Sequence, residues 1–172
     1  TYSAVNAFDT LDGKEGNDVL EIQTGVAIGG NPVLKSIETV NVKSATSVTL
    51  DGSNWEGTNT LNVTQANAAT LTAAATTDVN VSGATDDITV KGGNDITITD
   101  NTAASSIKVE DTNSNTTGNY ATGKITITDT KFGVGEKIDV DGGTDVTITA
   151  TADKVNVNKI TVGAKKAATG DV

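Results

Sequence analysis

The 172-residue chain contains no cysteine, no histidine and no methionine. Without cysteine there is no disulfide framework, no thiolate metal site and no cysteine nucleophile. The disulfide-stapled mini-protein class is thereby excluded, although the compartment is not fixed. Without histidine, serine-histidine catalysis and zinc-histidine sites are closed off as well. Aromatic residues are nearly missing, with one Trp, two Tyr and two Phe, so the core must be built from Val, Ile, Leu and Ala and must be thin. The one proline, Pro32, falls in a loop, where it interrupts no ladder. No apolar run approaches the roughly 18 residues of a membrane span, and no charged-then-apolar signal opens the chain. Beginning at Thr1 without Met, it reads as a fragment or processed product of something longer.

Positive charge is scarce too. Twelve basic residues stand against 22 acidic ones, a net charge of −10, and no compact basic cluster could track phosphates. Nucleic acid and anionic membrane are therefore not expected as partners, and membrane insertion is not expected. The acidic surface fits solubility and a loose attraction for divalent cations. Helix signals are nearly absent; the Ala-rich stretch 66–75 alternates with Thr and Asn and reads as a weak, small-residue strand.

What the chain does have is a short unit repeated. The stretch 86–100, DDITVKGGNDITITD, states it twice: an Asp, alternating β-branched residues and Thr, then Gly92-Gly93 before the pattern restarts. Such alternation, punctuated by Gly, Asn and Asp, predicts short strands with one buried face. The same pairs recur as Val40/Val42, Val48/Leu50, Leu61/Val63, Ala69/Leu71, Val79/Val81, Ile88/Val90, Ile96/Ile98, Ile107/Val109, Ile125/Ile127, Ile138/Val140, Val146/Ile148 and Val155/Val157. Eight or nine residues is the commonest step. Longer steps read as loop insertions at 51–58, 111–123 and 130–137, which a repeat architecture tolerates.

Two all-β architectures fit. In a parallel β-solenoid each step is one side of a coil, and inward Val and Ile form ladders. In an antiparallel β-sandwich each step is one arm of a hairpin. The regularity, the few aromatics and the Asn, Thr and Asp content, which can form side-chain ladders, favour the solenoid. Residues 1–36 are expected to hold leading strands, 37–162 the repeat body, and 163–172 a terminal linker.

Chemistry is sparser. Gly13, Gly16, Asp18 and Leu20 occupy positions one, four, six and eight of the calcium-binding nonapeptide G-G-x-G-x-D-x-U-x, and Asp9 and Leu11 echo Asp18 and Leu20 nine residues earlier. Glycines let the backbone turn so that carbonyls face a cation, and the Asp supplies hard oxygen. The expected metal residues are Asp18, Asp9, Gly13 and Gly16, with Ca²⁺ as the ion, and the alternative is a plain Asp/Gly turn before a strand; Lys14 replaces the second glycine. Asp78, Asp87, Asp95 and Asp145 each precede a strand and are expected to align along one edge, as a solvated row or one relieved by metal. Asp86/Asp87 and Glu110/Asp111 make poor acid-base pairs, because strand neighbours point to opposite faces. Gly92-Gly93-Asn94-Asp95 and Gly142-Gly143-Thr144-Asp145 read as turns, and Trp55 as a plug over a thin core. No enzyme is expected.

Taken together, Ile37-Glu38-Thr39-Val40-Asn41-Val42, Leu50-Asp51-Gly52-Ser53-Asn54-Trp55-Glu56-Gly57, Leu61-Asn62-Val63-Thr64 and Val140-Asp141-Gly142-Gly143-Thr144 resemble bacterial S-layer and RTX-type surface proteins. These are very large, Thr/Asn/Gly-rich, usually cysteine-free proteins exported by type I secretion. The resemblance implies an extracellular, cell-surface structural protein that associates with itself and folds or assembles with Ca²⁺, Asp18 being the ligating Asp. A surface glycan or lipopolysaccharide is a further partner such a protein would meet. An adhesin or spacer domain of a large secreted RTX adhesin is the alternative, acting through loops 51–58 and 111–123.

Overall fold

The computed structural model describes residues 9–25, 32–103, 105–110, 120–152 and 159–172. Fifteen strands follow in chain order: β1 (Thr10–Asp12), β2 (Val19–Thr24), β3 (Val33–Lys35), β4 (Thr39–Ser44), β5 (Val48–Gly52), β6 (Thr60–Gln65), β7 (Ala69–Ala73), β8 (Asp78–Ser82), β9 (Ile88–Gly92), β10 (Ile96–Asp100), β11 (Ile107–Glu110), β12 (Ile125–Phe132), β13 (Lys137–Val140), β14 (Val146–Ala152) and β15 (Lys159–Val162). Every strand pair among them is parallel. The chain is a β-solenoid of about six turns, and the antiparallel sandwich is excluded.

Even-numbered strands β2 to β14 form a seven-stranded sheet, and β5, β7, β9, β11, β13 and β15 a six-stranded one. The chain crosses between the two at each step, so one coil takes two of the short sequence steps. In the larger sheet the register runs Leu20, Val40, Leu61, Val79, Ile96, Ile125, Val146. Successive members lie 17 to 21 residues apart, except for the 29 residues between Ile96 and Ile125. That long coil carries the expected 111–123 insertion, of which 111–119 lie outside the described residues. β1 and β3 form a short third side, continued by a bridge from Lys35 to Glu56. The expected pair Val155/Val157 lies outside the described residues; Ile160 and Val162 of β15 close the six-stranded ladder.

The core is the space between the ladders. A second row, Ile22 through Val42, Val63, Val81, Ile98 and Ile127 to Ile148, lies beside the first, and Val48, Ala69, Ile88, Ile107 and Ile138 face them from the smaller sheet. Most of these side chains are completely buried, and each large one contributes roughly 1.5–3 kcal/mol of transfer free energy. Thr and Asn take the alternate, outward positions, where a β-branched or turn-forming polar residue meets water without disturbing the ladder. Among the described residues no helix forms, and so none long and apolar enough to cross a membrane is found.

Corners are held by polar stacking. Thr77 Oγ1 donates to Thr58 O at 2.8 Å and Thr58 Oγ1 to Ile37 O at 2.8 Å, a buried hydroxyl-to-carbonyl ladder that satisfies carbonyls the sheets do not reach. The two Gly-Gly pairs are turns: Gly92, Gly93, Gly142 and Gly143 all have φ between 69° and 92°, and a β-carbon on Gly93 or Gly143 would lie 2.7 Å from the Cδ1 of Ile96 or Ile125. The segment 163–172, expected as a terminal linker, stacks on the preceding coil: Gly163 N donates to Val140 O, Thr169 N to Gly143 O, Gly170 N to Thr144 O, and Asp171 O accepts from Val146 N.

Candidate functional site

The nonapeptide-like residues occupy the turn from β1 into β2. Gly13 N donates to Lys35 O at 2.9 Å, docking the turn on β3. A β-carbon at residue 13 would sit 1.9 Å from Ser36 O and 2.8 Å from Cβ and Cγ of Asp18, so only glycine fits against that carboxylate. Gly16, at φ 132°, brings its bare Cα toward Asp18 Oδ2. Lys14, in the place of the second glycine, keeps the left-handed backbone that position requires, at φ 71°.

Asp18 itself donates its N–H to Glu38 Oε2 at 2.7 Å, while its Oδ2 is buried with no hydrogen-bond partner. A cavity of about 210 Å³ opens beside it, lined by Leu11, Asp12, Gly13, Asp18, Leu20 and Ile37 among others. Asp12, the second carboxylate of the cavity, is already engaged: Lys14 donates to it from N at 3.0 Å and from Nζ at 2.6 Å. The hydrogen bond from the Lys14 side chain, with help from its backbone N–H, holds the Asp12 carboxyl below the usual carboxylate range. The turn thus gathers Gly13, Gly16 and Asp18. Asp9 stands at the other end of β1, its carbonyl accepting from Val33 N, and does not join them. Among the described residues no group of three or more acidic side chains is placed to hold a metal ion.

The strand-preceding aspartates do not form one row. Asp78 opens β8, and Asp95 and Asp145 precede β10 and β14, all in the seven-stranded sheet, whereas Asp87 precedes β9 on the other sheet. Lys124 also interrupts the larger column, preceding β12 between Asp95 and Asp145. Each carboxylate accepts a backbone N–H from the neighbouring coil: Asp95 to Asp78, Lys124 to Asp95, Asp171 to Asp145 and Ser106 to Asp87, at 2.7–3.2 Å. The like charges are relieved by amide donors, which a carboxylate accepts strongly.

Of the paired acids, Asp86 and Asp87 are both exposed, and Asp111 lies outside the described residues. Glu110 is held by lysines, with Lys108 Nζ at 2.6 Å and those of Lys91 and Lys165 at 3.8 and 3.9 Å. Trp55 is buried, its Nε1–H donating to Pro32 O at 3.0 Å, so it is packed as a plug and offers no stacking face.

Sequence reasoning left two features unplaced. One is the kind of side-chain ladder that the Asn content allowed, which lies on the outer face of the larger sheet, where Asn80 donates to Asn62 at 2.9 Å, Asn62 to Asn41 at 2.7 Å and Asn41 to Glu21 at 2.5 Å. It floors a shallow groove of about 380 Å³ that also includes Lys43, Thr64 and Ser82. The other is a corner of buried acids, Asp100, Asp129 and Glu136. Its signal was present in the repeated ITITD at 96–100 and 125–129: the alternation that turns both isoleucines inward also turns the aspartate inward.

Comparison with protein-family models, curated proteins and solved structures finds no significant match to the chain.

Proposed function

We propose that the chain is a structural, self-assembling repeat section of an extracellular bacterial cell-surface protein, of S-layer or matrix type, with Ca²⁺ acting on its folding or assembly. The observation that carries the reading is the unbroken register of the inward ladder through seven parallel strands. Residues that only repeat a shape make an elongated, protease-resistant stack whose work is mechanical. The last rung supports the self-associating part. Ile148, Ala150 and Val162 are only partly buried, and β14 and β15 each pair on one side among the described residues. Pairing of this kind joins coil to coil within the chain and equally receives a further coil or a second copy. The calcium part rests on the cavity and the unpartnered oxygen of Asp18.

Sedimentation velocity and circular dichroism in excess EDTA, then in millimolar Ca²⁺, test this. Large assemblies and a sharper β signal with Ca²⁺ are expected. A folded monomer indifferent to Ca²⁺ would move the reading to an adhesin or spacer domain, which the polar groove over Asn41, Asn62 and Asn80 favours as a contact surface for a glycan.

A further inference from the structure

Asp100 and Asp129 are register partners on β10 and β12, with relative exposures of 1% and 0%, and Glu136, in the turn after β12, is 4% exposed. Each spends one carboxylate oxygen on its own turn. Asp100 Oδ1 accepts from Thr102 N and Oγ1, both at 2.9 Å; Asp129 Oδ1 accepts from Lys131 N at 2.9 Å; Glu136 Oε2 accepts from Gly133 N. The other oxygens, Asp100 Oδ2, Asp129 Oδ2 and Glu136 Oε1, are buried and meet no donor. The charge of Asp100 bears on both Asp129 and Glu136, that of Glu136 on Asp129, and that of Asp87, before β9, on Glu136. Facing these charges are backbone amides: the N–H of Lys131 toward Asp129, and those of Gly133 and Ser105 toward Glu136. Among the described residues no lysine forms an ion pair with any of the three acids.

Buried carboxylates with unpaired oxygens are strongly unfavourable when charged. The three are not placed to hold a metal ion, so their charge is relieved either by protons or by water reached on opening. Burial raises the carboxyls of both Asp129 and Glu136, so the closed corner takes up protons in preference to the open one. The fold also gives most readily at this place. The register of β12 on β14 slips between Asp129 and Phe132, Thr130 Oγ1 reaches Asp100 O only at 3.3 Å, and Glu136 N reaches Gly133 O at 3.4 Å. The two turns move as one, because a β-carbon at Gly133 would lie 2.7 Å from Ala103 O and 2.8 Å from Glu136 Oε1, which puts the backbone after β10 in direct contact with the backbone after β12.

We propose that the corner of Asp100, Asp129 and Glu136 is a proton-operated latch, which holds the turns 101–103 and 133–136 closed on the stack while Asp129 and Glu136 carry protons and lets them open to water once both are charged. Opening hydrates the charges and frees the local backbone, while the aliphatic ladders on either side keep their burial. The rest of the solenoid therefore stays folded as the corner opens.

Amide hydrogen exchange of the purified chain in EDTA, followed residue by residue by NMR at pH 5 and pH 7.5 and expressed as protection relative to the unfolded chain, tests the latch. The corner is read at the N–H groups of Thr102, Lys131 and Gly133. Val48 N and Val79 N, bonded to Ala68 O and Asp95 O at 2.8 Å, serve as references elsewhere in the stack. Protection at the corner is expected to fall by about tenfold or more between pH 5 and pH 7.5, since a carboxyl at about 6 when closed and 3.8 when open loses that much of its preference for the closed corner. The references are expected to hold. Asp129→Asn with Glu136→Gln keeps the shape and the acceptors for Lys131 N and Gly133 N, and its corner is expected to stay protected at both pH values. Glu136→Gln alone carries the comparison should the double variant fail to fold, and its fall is expected to be smaller than that of the parent. Three results overturn the proposal. One is a corner equally protected at both pH values. Another is loss of protection at the corner and the references together, in which the whole chain loosens and no local latch exists. The third is a variant whose corner follows pH as the parent does.

Discussion

Asp100 and Asp129 lie side by side across β10 and β12, inside a coil whose other inward positions on the same register, Ile96, Ile98, Ile125 and Ile127, are all isoleucine. Burial, reinforced by the charges of Asp100 and Glu136 and opposed by the Lys131 N–H, pushes the Asp129 carboxyl from its ordinary 3.8 up to about 6. Burial likewise raises Glu136, against the pull of the Gly133 N–H. The folded chain therefore binds a proton more tightly than the unfolded one. This contribution to stability is fully present below pH 3.8 and is lost as pH rises through about 6. For Asp129 the difference corresponds to about 3 kcal/mol. Urea melts in excess EDTA are expected to show stability falling between pH 4 and pH 6.5, with that slope reduced in Asp129→Asn. A wild-type slope of the opposite sign sinks the assignment.

The solenoid was legible because step length and alternation are local properties: a pair such as Ile96/Ile98 predicts a strand wherever it lands, and parallel stacking follows from equal steps. Which polar residues would sit inside was not equally legible. Asp100 follows two inward isoleucines with the correct parity, yet an aspartate at a strand end reads more readily as a turn residue than as a core one. The split of Asp87 from Asp78, Asp95 and Asp145 needed the alternation of strands between two sheets, since all four share one local pattern. Residues 163–172 resembled a linker because their hydrogen bonds are made by backbone groups, which leave no mark on composition.

The asparagine ladder gives a graded prediction. Asn62 donates to Asn41 and accepts from Asn80, whereas Asn80 ends the chain of bonds as a donor only. At about 1 kcal/mol for each net hydrogen bond, Asn62→Ala is expected to cost about 2 kcal/mol and Asn80→Ala about 1. Chemical denaturation of both variants checks the ratio. Equal costs would mean that the ladder stabilises nothing beyond the β-propensity of its positions.

Trp55 is a built-in reporter of the corner it closes. A β-carbon on Gly52 would lie 2.7 Å from Trp55 Cε3, and the indole is held by its bond to Pro32 O. Gly52→Ala must push the ring outward, and overpacking of this kind costs about 1–3 kcal/mol. Since Trp55 is the single tryptophan, its emission should shift to the red in the folded variant. An unshifted spectrum with unchanged stability would show that the ring is not wedged against the backbone.

Lys14 combines two departures that one substitution separates. Its φ of 71° is the left-handed conformation natural to glycine, and its ammonium occupies the Asp12 carboxylate beside the Asp18 cavity. Lys14→Gly relieves left-handed strain of about 1–2 kcal/mol, offset by the roughly 0.5–1 kcal/mol of extra chain entropy that glycine loses on folding. The exposed Lys14–Asp12 pair, with side chains 77% and 35% exposed, adds little. Stability without Ca²⁺ should therefore rise by no more than about 1.5 kcal/mol. Ca²⁺ affinity at the turn should rise, because the variant frees Asp12, removes a competing cation and restores the second glycine. Calorimetry on Lys14→Gly beside the parent chain, with Asp18→Asn as the control, reads this turn. An affinity no higher than that of the parent chain would mean that the cavity beside Asp18 is a packing defect and that the nonapeptide likeness ends at its backbone shape.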